Sequence, residues 1–275
     1  MVRRVIGFYY YHFKIVLYLL FSYGLELFFI FGVMAIYRYR YKPSVPRHLH
    51  GKVHGKRLRH ARKQAKLDAR GVQVQLRPAQ VLIFGHSFVK NLNRFLRENH
   101  GDYHNLGFDY SRAHVHWLGI GGMRVDQARG EQLIAVERVR PDIVYVELGT
   151  VDMTNPKLGP EEIGSEIHEL ALDMIALGVK KVIVGEIIHR EGKGIPRRML
   201  YVNQRVNIAN LYLSAVLGPQ FTPKARFWRH KRFWHSAYPL LKKDGVHPNT
   251  LGSRRLFRSI RGAVLQAIFS LPELF

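Results

Sequence analysis

The stretch Val81-Leu82-Ile83-Phe84-Gly85-His86-Ser87-Phe88 decides how the chain is read. Four apolar residues with β-forming side chains make a short buried strand. Gly85 permits a sharp turn, and Ser87 stands where a strand hands over to a helix. Phe88, Leu92, Phe95 and Leu96 give that helix an apolar face. In an open parallel sheet, ligands bind beyond the carboxyl ends of the strands. Ser87 is therefore a candidate nucleophile, although a serine before a helix is more often just an N-cap.

Downstream, strand and helix patterns alternate. His114 to Ile120 reads as a second strand, followed by Gly121-Gly122 and a helix from about Val125 to Val139. Asp142 to Leu148 is a third strand. Pro160 with Glu161 and Glu162 opens a helix, as proline and acids at a first turn do. Its core face is Ile163, Ile167, Leu170, Ala171, Met174 and Ile175, at helical spacing, and Gly178 ends it. Lys181 to Ile187 is a fourth strand, about Pro196 to Leu217 a long helix, and Ala225 to Trp228 a fifth strand. A last helix covers roughly Thr250 to Phe269. Strict alternation predicts an α/β fold, a three-layer α/β/α sandwich around a five-stranded parallel sheet.

Length and charge set the frame. The 275 residues carry 43 Lys+Arg against 20 Asp+Glu, a formal net charge of +23. Such a chain favours anionic partners, nucleic acid or acidic lipid. It has no cysteine, which excludes disulfides and thiolate metal sites.

Before the sandwich lie two segments of other character. Residues 1–42 read as a membrane segment with basic flanks, the helix spanning Ile15 to Tyr37. Glu26 is its one charge, and its length matches a bilayer core. Its Leu, Ile, Phe and Val residues contribute roughly −4 to −8 kcal/mol to insertion, against roughly 2.5–3.5 kcal/mol for a central carboxylate. A cleaved signal peptide is the competing reading; the apolar run is long for one, and Arg38 and Arg40 follow it rather than a small-residue site. A mis-set start codon would also produce such a run. More Lys and Arg lie on the C-terminal flank, which places the following domain on the cytosolic side. Residues 43–78 form a basic linker, from Pro43 and Pro46 to Pro78. It reads as a solvated flank, or as a contact for acidic lipid or nucleic acid.

Three strand ends and one turn carry chemistry. They are Gly85-His86-Ser87, Gly121-Gly122, Gly149-Thr150-Val151-Asp152, and Lys243-Asp244-Gly245-Val246-His247-Pro248-Asn249. Asp244 and His247, three apart in a turn, can face each other. Pro248 keeps His247 out of helical conformation. The carboxylate then fixes the imidazole tautomer, as a general base for Ser87 requires. Each motif alone also has a plain structural reading, a turn or a helix start.

With these motifs, residues 79–275 resemble the SGNH (GDSL-like) hydrolase family. The likeness rests on Phe84-Gly85-His86-Ser87-Phe88, Gly119-Ile120-Gly121-Gly122, Glu147-Leu148-Gly149-Thr150-Val151-Asp152 and Asp244-Gly245-Val246-His247. Within it, the chain looks most similar to esterase-like proteins of marine invertebrates, some of them associated with retrotransposons. The resemblance implies a serine esterase with Ser87 as nucleophile, His247 as base and Asp244 as its orienting partner. It implies an oxyanion hole from the backbone N–H groups of Ser87 and Gly122. The family's third donor is an asparagine side chain, and Val151 stands at its position; Asn155 is near but out of register. His86 stands where the family usually has Asp. Small acyl esters are the implied substrates, with no cofactor.

Two further clusters complete the reading. Arg226, Arg229, His230, Lys231, Arg232 and His235 lie among Phe227, Trp228, Phe233 and Trp234. They read as a loop with packed aromatics and wet charges, or as an anion contact. His48, His50, His54 and His60 are loosely spaced, with no acid or cysteine to complete a metal site.

Overall fold

Five parallel strands are laid down in the order β2-β1-β3-β4-β5 in a computed structural model that describes residues 77–99, 101–231, 233 and 238–271. They are β1 (Ala79–Gly85), β2 (Ala113–Gly119), β3 (Ile143–Glu147), β4 (Lys181–Gly185) and β5 (Ala225–Trp228). The helices are α1 (Ser87–Asn99), α2 (Val125–Gly130), α3 (Leu133–Val139), α4 (Pro160–Ala176), α5 (Val202–Val216) and α6 (Thr250–Phe269). The expected parallel α/β sandwich is the observed one. The apolar run Ile15 to Tyr37 and nearly all of the 43–78 segment lie outside the described residues. Among the described residues no helix is long and apolar enough to cross a membrane.

The alternation of side chains along β1 sorts the core into two layers. Val81 and Ile83 point to the face covered by α1 and α6, where they meet Phe88, Leu92, Leu256 and Ile260. Leu82 and Phe84 point to the opposite face, against Val125, Ile163, Ile167, Leu170 and Val206 of α2, α4 and α5. A one-residue slip of β1 would exchange the two sets, so the register is fixed by packing on both sides. Val81 pairs with Val115 of β2 and Ile143 of β3.

The strand order reverses direction at β1. The chain steps from β1 to β2 on one side, then crosses back to β3 on the other. The crevice beyond β1 and β3 is thus a switch point, where such sheets bind ligands. Ser87 begins α1 there. Gly85, just before it, is a close-approach glycine: a Cβ at this position would lie 2.3 Å from the Glu147 carbonyl oxygen.

Two elements differ from the pattern read in the sequence. The helix expected over Val125 to Val139 is broken into α2 and α3. The break falls at Gly130, which has poor helix propensity, and the backbone N–H of Glu131 closes α2 on the Gln127 carbonyl. The long helix expected from Pro196 starts at Val202, with a 3-10 turn at Arg197–Met199 before it. No side chain caps α5 at Tyr201, so its start is set by packing and not by a local signal. Arg77, at the end of the basic segment, makes a two-pronged contact to the buried Asp142 carboxylate at 2.7 and 2.8 Å. Asp142 also accepts the Gln80 backbone N–H, which fixes where the chain enters β1.

Candidate active site

Ser87, His247 and Asp244 are brought together from the two ends of the fold. Ser87 Oγ lies 3.0 Å from His247 Nε2, and His247 Nδ1 lies 2.8 Å from Asp244 Oδ2. The other Asp244 oxygen accepts the backbone N–H groups of Val246 and His247, each at 2.9 Å. Partial burial works against ionisation of this carboxyl. The two N–H donors and the imidazole outweigh it and hold its pKa down to about 2. The carboxylate is therefore charged throughout the neutral range and keeps the proton of the neutral imidazole on Nδ1. Nε2 is left as an acceptor facing the serine hydroxyl.

The turn carrying this pair is clamped at several points. Lys242 N–H donates to the His247 carbonyl at 2.7 Å, and Leu241 bridges to Pro248. Asn249 caps α6 by accepting the Gly252 N–H and donates to the Pro239 and Leu241 carbonyls. Gly245 has φ +68, and a Cβ there would fall 1.6 Å from the Glu191 carbonyl oxygen. Only glycine meets both demands. Gly245→Ala is expected to displace the Asp244–His247 turn and reduce turnover by at least about 10²-fold, on the scale of a misplaced catalytic group. Hydrolysis rates beside a melting curve would separate this from global unfolding.

His86 takes the role of an N-cap for α1. Its Nδ1 accepts the Phe88 N–H at 3.2 Å, as an aspartate oxygen would. Burial lowers its pKa to about 4, against the opposing pull of the Glu147 carboxylate. The ring is therefore neutral, with its proton on Nε2, and Nε2 has no hydrogen-bond partner among the described residues.

The loops that would line an oxyanion hole converge on the same edge. Ser87 is the first residue of α1, so its N–H has no intrahelical acceptor. Gly122 is exposed with φ +75, in a turn tied to β1 by the Ile120 N–H to the Gly85 carbonyl. Val151 opens a 3-10 turn, Asp152–Thr154, after β3. Its side chain offers no donor. Asn155 uses its side-chain oxygen on the Lys157 N–H, in keeping with its being out of register.

Four further residues support these loops: Arg190 and Tyr145, not singled out in the sequence, and Glu147 and His230, read there only as parts of longer stretches. Arg190 donates to the Thr150 carbonyl at 2.8 Å and to the Gly194 carbonyl at 3.2 Å. It joins the loop after β3 to the loop after β4. Glu147, Tyr145 and His230 form a buried cluster beneath the site. Tyr145 donates to Glu147 at 2.8 Å, and His230 Nε2 lies 3.3 Å from the same carboxylate. Burial and the Glu147 charge raise the Tyr145 pKa well above its usual value. Glu147 was visible as part of a motif, but strand residues with inward polar side chains give no separate signal in one sequence. Around His230, Arg226 stacks on Trp228, and Phe233 is buried. The described part of the basic-aromatic loop thus packs its rings.

Asp152 ties two of the loops together. Its Oδ1 accepts the Val125 N–H at 3.2 Å, at the start of the helix that follows Gly122. Its Oδ2 has no hydrogen-bond partner among the described residues. Burial raises its pKa to about 6 against the pull of the backbone donors. A carboxyl whose folded pKa is raised stabilises the fold most below its unfolded value near 4. That contribution is lost as pH rises toward 6. The stability difference between the native chain and Asp152→Asn should therefore change by on the order of 1–3 kcal/mol between pH 4 and 7, in favour of the variant at the higher pH. Urea unfolding of both at each pH measures it.

The fold is that of GDSL-like acylhydrolases, and at its switch point it carries a hydrogen-bonded Ser–His–Asp chain. A protein assigned as an acylhydrolase from Bacteroides fragilis superimposes with a TM-score of 0.57 at 18% identity, covering 74% of this chain and 96% of its own. A GDSL-like lipase from Bacteroides thetaiotaomicron gives 0.56 at 19% identity, covering 69% and 89%. A carbohydrate esterase family 3 protein from Talaromyces cellulolyticus gives 0.50 at 18% identity, covering 70% and 99%. No protein-family model and no curated protein sequence matches the chain.

Proposed function

We propose that the chain is an SGNH-type serine hydrolase of carboxylic esters. The observation that carries this reading is the continuous chain from Ser87 Oγ through His247 to Asp244, at 3.0 and 2.8 Å. In the proposed reaction His247 Nε2 takes the Ser87 proton as Oγ attacks the ester carbonyl. The tetrahedral oxyanion rests on the N–H groups of Ser87 and Gly122. Collapse expels the alcohol, which receives the proton from His247, and leaves an acyl-serine. Water, deprotonated by the same imidazole, then releases the acid and restores the hydroxyl. Small acyl groups on sugars or lipids are the proposed substrates, by analogy with the esterases that share the fold.

Val151 makes the proposed enzyme a slow one, because one oxyanion donor is missing. The same residue supports a second reading, an SGNH fold kept for binding, with its +23 charge directed at nucleic acid. The likeness to retrotransposon-associated esterases of marine invertebrates belongs with that reading. The intact Ser87, His247 and Asp244 favour the enzyme. We further propose a single-pass anchor at Ile15 to Tyr37, with the hydrolase domain on the cytosolic side and the basic 43–78 segment near acidic lipid. A fluorophosphonate probe tests the central claim. Labelling of the native chain that vanishes in Ser87→Ala is expected; a folded native chain that stays unlabelled would overturn it.

A further inference from the structure

The carbonyl of Thr150, the residue before Val151, is held by a cation. Arg190 donates to it at 2.8 Å and to the Gly194 carbonyl at 3.2 Å. Asn203 of α5 fixes the Arg190 backbone in both directions, accepting its N–H at 2.9 Å and donating to its carbonyl at 2.8 Å. Arg190 is half-buried. Burial lowers its pKa, and no carboxylate acts against that shift. The guanidinium still stays charged. A desolvated cation without a counter-charge is costly, so what it is aimed at matters.

The peptide joining Thr150 to Val151 is planar and trans, so its C=O and N–H point to opposite sides. The sheet order sets what lies on each side. Strands β1, β3 and β4 are parallel neighbours. The loop after β3 therefore runs between Ser87, which follows β1, and Arg190, which follows β4. Arg190 draws the Thr150 carbonyl toward β4. The Val151 N–H is thereby turned toward β1 and Ser87. Gly149 makes the turn that allows this, with φ +95, a conformation that favours glycine. The Val151 N–H has no hydrogen-bond acceptor among the described residues, and neither have the N–H groups of Ser87 and Gly122. A guanidinium on the carbonyl also polarises the peptide and strengthens its N–H as a donor.

We propose that the backbone N–H of Val151 is a third oxyanion donor, oriented by Arg190 as a positioning residue. This rests on the esterase reading and adds to the donors of Ser87 and Gly122. Valine carries no side-chain donor, yet its peptide N–H remains. In the tetrahedral intermediate the former carbonyl oxygen of the ester, now negative, accepts N–H groups from three loops. Arg190 touches no substrate atom and acts through the Thr150 carbonyl. An asparagine at 151 would add a side-chain donor to this backbone one.

Val151→Pro removes the N–H, and Val151 already has φ −74, close to the angle proline imposes. Full-length native, Val151→Ala, Val151→Pro and Arg190→Gln chains, with the Val151→Pro, Arg190→Gln double variant, are compared by melting curves and by kcat and KM on an aryl acetate. Val151→Pro is expected to lower kcat about 10²-fold with little change in KM, as loss of one donor does. Val151→Ala keeps the N–H and should lose at least about tenfold less. Arg190→Gln should lower kcat about tenfold alone, and only about twofold on top of Val151→Pro, because the donor it acts through is already gone. An arginine that only holds the fold together would show its full loss in both backgrounds. Equal rates for Val151→Ala and Val151→Pro, or full additivity of the Arg190 loss, would overturn the proposal. Where the proline variant does not fold, inhibition by an alkyl trifluoromethyl ketone decides. The tetrahedral adduct it forms on Ser87 should weaken in Arg190→Gln by the factor lost from kcat/KM, and an unchanged inhibition constant would overturn the donor. A native chain that hydrolyses no ester overturns the esterase reading; an active chain indifferent to Val151→Pro overturns the donor alone.

Discussion

Ser87→Ala is expected to lower ester hydrolysis by about 10⁶-fold, and His247→Ala by a similar factor. The serine supplies the bond to the acyl carbon, and the imidazole moves the proton at every step. Removing both should cost little more than removing either, because the two act as one unit. Asp244→Asn should cost less, about 10⁴-fold, since it alters the tautomer and charge around His247 and not the nucleophile itself. Two of its hydrogen bonds come from the Val246 and His247 backbone, so an amide oxygen there can still hold the turn. Initial rates on an aryl acetate for the three single variants and the Ser87–His247 double variant give the full comparison. Strict additivity of the two largest losses would contradict a concerted Ser–His pair.

Val151→Asn is the expected gain. One oxyanion-hole donor is worth about 10²–10³ in kcat, or about 2.7–4 kcal/mol. Val151 is half-buried in helical conformation, and its carbonyl accepts the Thr154 hydroxyl at 2.7 Å. That backbone suits asparagine as well as valine, and the Thr154 contact does not involve the side chain being replaced. An increase in kcat with little change in KM would mark a donor used only in the transition state. No increase in a folded, Ser87-dependent chain would show that the hole is completed in another way, or not at this position.

Much of this arrangement is legible in the sequence. The apolar runs at Val81 and Ile143 specify strands buried on both faces, and strands buried in that way need helices above and below. Asp244 and His247 could be paired on paper because a turn of three residues brings them together. Ser87 and His247, 160 residues apart, could be joined only through the sheet order or a known motif. The break at Gly130 was missed because the apolar spacing continues across it. The Tyr145–Glu147–His230 cluster was missed because His230 follows β5, two strands away from the β3 residues Tyr145 and Glu147, and only the folded sheet brings it to them. Arg190 reads as an ordinary loop cation until its two carbonyl acceptors are seen.

The span between Ser87 and His247 also sets when the protein can act. Ser87 lies close to the beginning of the sandwich and His247 close to its end. A ribosome adding about 5–20 residues per second needs roughly 10–30 s to pass from one to the other. Through that interval the nascent chain carries a serine with no base beside it. The clamp that aims the imidazole runs from Leu240 to Asn249, immediately before the last helix. In the proposed enzyme, hydrolysis would thus report completed synthesis: a chain released early would hold the serine without its base.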